Sequence, residues 1–442
     1  MADRSPRIAI VSHTHPDLSK GGAEVSAYAL FKGLKALGQD VIFVATCDES
    51  DLPRVKTRPG EYLIQRDTAF YDHFYQLGTP ETARQLTEIL AREKVEVVNF
   101  QHYLFLGINA IEAVCDMGLR VVVTLHEYLA ICHHHGQMVT RPGKALCRAA
   151  SRQGCQACYP EHLGEEFDIR RWQIGRAFDR VAAFVSPSAF LRGRYAAWGL
   201  DPARVSVIEN GLLDIDAKRA RAAAEAGRSR APRSEAATIG YFGQITPFKG
   251  VGLILDLVEQ VEDARDAARA AGVEAPPRPP FRFRIHGNLV GLDPAFVERF
   301  EAAEKRSPAL RYMGAYANED VVTLMAGCDY VIVPSQWWEN SPVVIQEAYA
   351  AGCPVIASDL GGLAEKVVEG ETGLLFAVSD ATSLLATLEA ACAPGALDKL
   401  QAGLPAVSDD VAMARAYLNL LAGPESAAEP GDAAVAGTPA TD

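Results

Sequence analysis

"SQWWENSPVVIQEAYAAGCPVIASDLGG", from Ser335 to Gly362, places Glu339 and Glu347 eight positions apart on either side of a Ser-Pro step. Asn340 and Ser341 are N-cap residue types, Pro342 suits a first helical turn and Gly352 is a stop signal, so the spacing predicts a short helix over 342–351. Glu339 then lies just outside a positive, donor-rich helix end, with Glu347 about 8 Å further along at about 1.5 Å per residue. The Val343, Val344, Ile345 run packs the helix into an α/β core, and "PVIASD" after Gly352 reads as a buried strand ending in a polar loop. Open α/β sheets bind ligands at such strand ends. Taken singly, either glutamate reads as well as a solvated side chain or a partner of the helix dipole. A site follows only if the rest of the chain converges on the same place.

Working outward, "TIGYFGQI", "FRFRIHG", "LRYMGA", "DYVIVPS", "PVIASD" and "TGLLFA" are apolar strand signals, with a helix from about Gly250 to Ala270 after the first of them. The N-terminal half carries an equivalent series: "RIAIVS", "DVIFVAT", "VEVVNFQ", "RVVVTLH", "VAAFVSPS" and "RVSVIENG", with helices over Ala23 to Leu37 and Pro80 to Lys94. Such alternation predicts parallel sheets covered on both faces, hence an α/β chain of two doubly wound domains. The domains are expected at 1–213 and 238–400, joined by a linker at 214–237 that is rich in Ala, Arg and Glu and has no strand pattern. A C-terminal helical segment at 401–422 follows, then a tail at 423–442 of disordered composition. "AAGVEAPPRPP", Ala270 to Pro280, reads as a proline-rich loop.

A length of 442 residues suits two cores of roughly 200 residues each. The formal charge of −13 argues against a general nucleic-acid binder and leaves local basic stretches such as "RSRAPR" (Arg228 to Arg233) for acidic lipid or phosphate. No apolar run reaches the roughly 18 to 20 residues that span a bilayer, and "MADRSPRIAIVSH" enters a strand directly. A cytoplasmic protein is expected, with at most peripheral contact at the inner membrane face. Nine cysteines without an export signal fit reduced thiols or a metal site better than a disulfide framework.

Chemistry-bearing residues fall at the strand exits of both halves. Gly21 and Gly22 precede a helix and admit a phosphate closely, although a Gly-Gly pair also reads as a plain turn. "TLHEY" puts His126 at the exit of the fourth strand, either as a packed residue or at the reaction centre. In "GYFGQITPFKG", Gly240 to Gly250, Lys249 stands just before a helix, where an ammonium can meet a diphosphate. Gly287 of "IHGN" ends another strand. Neither G-x-G-x-x-G after the first strand nor G-x-x-x-x-G-K-[ST] anywhere is present, which disfavours a nicotinamide enzyme and a P-loop kinase. A cleft between the two domains is the common location.

The stretch "ENSPVVIQEAYAAGCPVIASDLGGLAEKVVEGETGLLF" resembles the E-x7-E region of the retaining glycosyltransferases of family 4, two-Rossmann-domain enzymes of the GT-B architecture. The resemblance extends through "GGAEVSAYALFKGLKALGQDV", "VSPSAFLRGRYAAWGL", "VSVIENGL", "GYFGQITPFKG" and "YMGAYANEDVVTLMAGCDYVIVPSQWWE", in the family's order. It implies a nucleoside-diphosphate-sugar donor and a glycan, lipid-linked or small-molecule acceptor. It also implies retention of anomeric configuration and no cofactor required for catalysis. By the same resemblance Glu339 contacts donor-sugar hydroxyls, Glu347 the ribose, and Lys249 with the Asn340/Ser341 helix end the pyrophosphate. Gly21 and Gly22 line the acceptor and phosphate side, and His126 touches the sugar. An inactive nucleotide-sugar-binding subunit and a nucleotide-sugar epimerase are the competing readings. The intact Glu339, Glu347 and Lys249 disfavour the first, and the E-x7-E region disfavours the second.

Two features depart from that plain picture. Many family members carry an arginine a few residues before the lysine, where this chain has Gln244, a neutral amide. Arg192 and Arg194 of "AFLRGRY" are candidates to replace the charge, against the reading that both are solvated. Cys132, Cys147, Cys155 and Cys158, within an insertion at about 130–160, end in a C-x2-C knuckle that suits a structural zinc, with His133, His134 and His135 as spare ligands. Free cysteines packed under an irregular loop account for the pattern nearly as well.

Overall fold

The computed structural model describes residues 5–19, 21–228 and 236–423. The residues of the expected tail beyond 423 and most of the "RSRAPR" stretch lie outside the described residues.

The first domain is built on seven parallel strands: β1 (Ile8–Ser12), β2 (Val41–Cys47), β3 (Glu61–Gln65), β4 (Val97–Phe100), β5 (Arg120–Thr124), β6 (Ala183–Ser186) and β7 (Val205–Val207). Their order is β3-β2-β1-β4-β5-β6-β7, so the sheet reverses direction of growth between β1 and β4. The second domain has six parallel strands: β8 (Ala237–Phe242), β9 (Phe281–His286), β10 (Leu310–Gly314), β11 (Tyr330–Val333), β12 (Val355–Ser358) and β13 (Gly373–Phe376). Their order, β10-β9-β8-β11-β12-β13, reverses between β8 and β11. Both sheets are thus doubly wound, and each reversal opens a crevice at the carboxyl ends of its central strands. β1, β2 and β4 are buried along their whole length, the reason they appear in the sequence as nearly continuous apolar runs. β3 has no such run: it is an edge strand with partly exposed positions, and its "EYLIQ" carries no clear period.

The expected linker is largely a helix, Ile215–Arg228, packed against the second domain through the short helix Val321–Met325. Arg221 pairs there with Asp320 at 2.8 Å. The C-terminal helix Asp410–Ala422 crosses back onto the first domain, where Met413, Ala414, Tyr417 and Leu421 bury themselves against the helix Gly22–Ala36. A Cβ at Gly33 would stand 2.1 Å from the Asp410 carbonyl oxygen, so only glycine permits this helix contact. The two chain crossings touch each other, Leu212 N donating to Ser408 O at 2.9 Å.

Candidate active site

A cleft of about 550 Å³ separates the carboxyl edges of the two sheets. Gly21, Gly22 and His126 line it from the first domain. Gln244, Lys249 and Gly287 line it from the loops after β8 and β9, and Glu339, Asn340, Ser341 and Glu347 from the segment after β11. The fold therefore brings together all the residues expected at the strand exits. Gly287 has φ +152°, and a Cβ there would lie 1.8 Å from the Gly243 carbonyl oxygen, so the two strand exits meet backbone to backbone.

Two helix N-termini open into this cleft without side-chain caps. The helix Gly22–Ala36 has Gly21 at its N-cap, and the helix Val343–Ala350 has Pro342 at its own. The expected capping by Asn340 and Ser341 does not occur. Asn340 Nδ2 instead donates across the domain boundary to His126 O at 2.9 Å. Asn340 Oδ1 and Ser341 Oγ are buried with no partner among the described residues. Buried polar atoms are rarely left unpaired in a finished core, and here they line the same cleft as two helix N-termini, the first of which carries Glu24 in its opening turn. That arrangement suits an anion with several oxygens.

On one side of these helix ends, Glu339 Oε1 accepts from Lys249 Nζ at 2.5 Å, Ser335 Oγ at 2.8 Å and Trp337 Nε1 at 2.9 Å. Burial pushes the Glu339 carboxyl up, but the Lys249 charge and these donors outweigh it and hold it below its ordinary range. Lys249 thus stands in the cleft wall with one of its three donors on Glu339. On the other side, Glu347 Oε1 accepts from Asn318 Nδ2 at 3.1 Å, and Asn318 Oδ1 accepts from Lys218 Nζ at 2.8 Å. Burial raises the Glu347 carboxyl, opposed by the Lys218 charge. Sequence reading missed both Lys218 and Asn318. Lys218 sits in the stretch taken as a linker, where one lysine among Ala and Arg carries no signal.

His126 Nε2 lies 2.8 Å from Gln101 Oε1, and the Gln101 amide is oriented by Nε2 donating to Asn99 Oδ1 at 2.5 Å and Thr124 Oγ1 at 3.1 Å. This network assigns the proton to Nε2 and leaves Nδ1 an acceptor. Burial holds the ring neutral, with a pKa lowered to about 4. Burial likewise lowers His133 and His286 to about 4 and His102 well below its ordinary value. Unfolding would let these rings bind protons as pH falls below 6.5, so stability falls with pH in that range. Glu127, raised to about 8 by burial, acts in the opposite sense between 4.5 and 8, as do the raised Glu347 and Asp410 carboxyls, but the lowered rings, His15 and His135 among them, outnumber these three. The melting temperature is expected to drop by on the order of 10 °C between pH 7 and pH 4.5. A flat profile in thermal melts would contradict the neutral, buried imidazoles.

The fold and cleft have counterparts among known proteins. Residues 20–213 match the family model described as Glycosyltransferase Family 4, and residues 236–393 the model described as Glycosyl transferases group 1. The chain belongs to the GT-B glycosyltransferases of the family 4 type. It is similar to the D-inositol 3-phosphate glycosyltransferase of Corynebacterium efficiens, 30% identical over 40% of this chain and 39% of that protein. The match thus takes in about two fifths of that relative's length. Similarity to the glycogen synthase of Mycobacterium tuberculosis is 24% over 86% of this chain and 85% of that one. Among solved structures, Anabaena HepE in complex with UDP superposes with a TM-score of 0.63 at 16% identity, over 93% of this chain and 98% of that chain. The sucrose-phosphate synthase of Thermosynechococcus elongatus does so with a TM-score of 0.63 at 17% identity, over 93% and 97%.

In this chain neither Arg192 nor Arg194 lines the cleft. Arg192 is exposed. The Arg194 guanidinium stacks 4.2 Å from the Trp338 ring and 5.0 Å from that of Phe190, and donates to Arg148 O. Trp338 Nε1 donates to Cys147 O at 2.9 Å, so the residue before Glu339 is wedged against the cysteine-bearing insertion of the other domain. Arg194 thus serves the domain contact, not the diphosphate. Arg194→Ala is expected to lower stability by about 2 kcal/mol while nucleotide affinity stays within about two-fold, measured by thermal melts and calorimetry. A ten-fold loss of affinity would return Arg194 to the anion site.

The four cysteines of that insertion do not form a ligand set. Among the described residues no three His, Cys, Asp or Glu side chains are arranged to hold a metal ion. Cys132 packs against the first-domain core, Cys147 Sγ donates to Ala149 O at 3.2 Å, and all four are free thiols. Burial raises Cys132 to about 11 and also raises Cys147 and Cys155. Among the described residues no helix is long and apolar enough to cross a membrane.

Proposed function

We propose that the cleft binds a nucleoside-diphosphate sugar and transfers the sugar to an acceptor hydroxyl with retention of configuration, in the synthesis of a polysaccharide, glycolipid or small glycoside. The observation that carries this reading is the pair of uncapped helix ends, with the partnerless Ser341 Oγ and Asn340 Oδ1 beside them, in a cleft that the half-buried Glu339 and the buried Glu347 also line. The diphosphate occupies the helix ends, the nucleoside extends towards Glu347, and the sugar lies by Glu339 and the His126 Nδ1 acceptor. The UDP and UDP-glucose complexes of Anabaena HepE support a donor of this class.

Leaving-group charge is stabilised by preorganised backbone donors with Lys249 nearby. Retention is supported by how weak a base the groups beside the sugar offer. His126 has its Nε2 proton committed to Gln101 and a depressed pKa, and Glu339 is held by Lys249. The departing phosphate oxygen is then the base for the acceptor proton, which requires acceptor and leaving group on one face of the sugar. Calorimetric titration with UDP, GDP and ADP, followed by NMR of the product's anomeric proton, tests the reading. Binding of one nucleotide and retained configuration are expected; no binding, or inversion, would overturn it.

A further inference from the structure

Lys218 has no part in the reading so far, yet it is a buried cation, 9% exposed, in the cleft wall. It arrives on the helix Ile215–Arg228, between the two family-matched regions, and reaches Glu347 through one side chain. Asn318 bridges them, its Oδ1 turned to the ammonium at 2.8 Å and its Nδ2 to the carboxylate at 3.1 Å. The orientation of that amide is fixed, since an ammonium only donates and a carboxylate only accepts. Asn318 thus holds two opposite charges side by side without letting them close on each other. Among the described residues no other acceptor takes a proton from Lys218 Nζ, and no other donor reaches Glu347 Oε1.

We propose that Lys218 and Glu347 together read the ribose diol of the donor, making Lys218 a specificity-determining residue of this cleft. This rests on the nucleotide-sugar reading above. A hydroxyl is both donor and acceptor: Glu347 accepts its proton, and Lys218 donates to its oxygen. A nucleotide lacking one hydroxyl leaves a buried charge of the pair unsolvated, which is how sites built to bond a hydroxyl reject its absence.

The test measures, by titration calorimetry, the affinity of whichever of UDP, GDP and ADP binds best, against its 2′-deoxy and 3′-deoxy forms. In the wild type at least one deoxy form is expected to bind ten-fold or more weakly. In Lys218→Met the ribonucleotide weakens about ten-fold while the deoxy form hardly changes, so the discrimination collapses. Inorganic pyrophosphate should bind the variant and the wild type alike, which shows the helix ends intact. Should Lys218→Met melt early, Lys218→Gln, whose amide still reaches Asn318, carries the comparison. An unchanged ribose-to-deoxyribose ratio in the variant overturns the role of Lys218 alone. A wild type that binds no nucleoside diphosphate overturns the nucleotide-sugar reading, and this inference with it.

Discussion

Glu339→Gln is expected to lower turnover by about 10 to 100-fold while nucleoside-diphosphate affinity changes little. The substitution replaces a half-buried carboxylate that holds Lys249 at 2.5 Å and accepts from Ser335 and Trp337 on the same oxygen. A neutral amide can still accept from the ammonium but cannot balance its charge, and each lost charged contact is worth about 1.5 to 3 kcal/mol. If that contact serves the sugar as its bond to the diphosphate breaks, the loss falls on kcat at saturating donor and not on nucleotide binding. Steady-state kinetics beside calorimetry separates the two. Near-native kcat would remove Glu339 from the sugar end of the cleft.

The opposite split is expected for Glu347→Gln: nucleotide affinity about ten-fold weaker or more, with kcat at saturation close to that of the wild type. Glu347 lies at the other end of its helix segment, buried, beside Asn318 and Lys218. Removing its charge leaves the Lys218 ammonium buried without its counter-ion, a larger penalty than the loss of a neutral hydrogen bond. The two variants therefore form a pair in which one carboxylate controls the chemical step and the other the hold on the nucleoside. Equal effects on kcat and affinity in both would contradict the assignment of two separate ends.

What the sequence made legible was whatever local chemistry and burial determine together. Strands such as β1 and β8 are buried enough to read as apolar runs, and the glycines and polar residues that follow them mark where the strands end. The edge strand β3 escaped because its positions are only partly buried and follow no clear period. The Asn340-Ser341-Pro342 step shows a subtler limit. Its residue types suit a helix cap and a ligand contact equally, and the structure turns Asn340 to His126 O and leaves Ser341 Oγ unpaired. Arg194 and Lys218 were misjudged or missed for one reason: whether a cation reaches a cleft depends on domain packing that no local pattern encodes. Trp338 captures the first. Asn318, distant in sequence, positions the second.

The central claim is that two uncapped helix ends and a divided carboxylate pair make this cleft a donor site for sugar transfer. The most direct measurement is release of nucleoside diphosphate from a panel of UDP-, GDP- and ADP-sugars, with and without acceptor extracts. The account predicts release from one donor class, strongly increased by acceptor and lost in Glu339→Gln. Saturable binding of a donor with no release under any acceptor condition would contradict it.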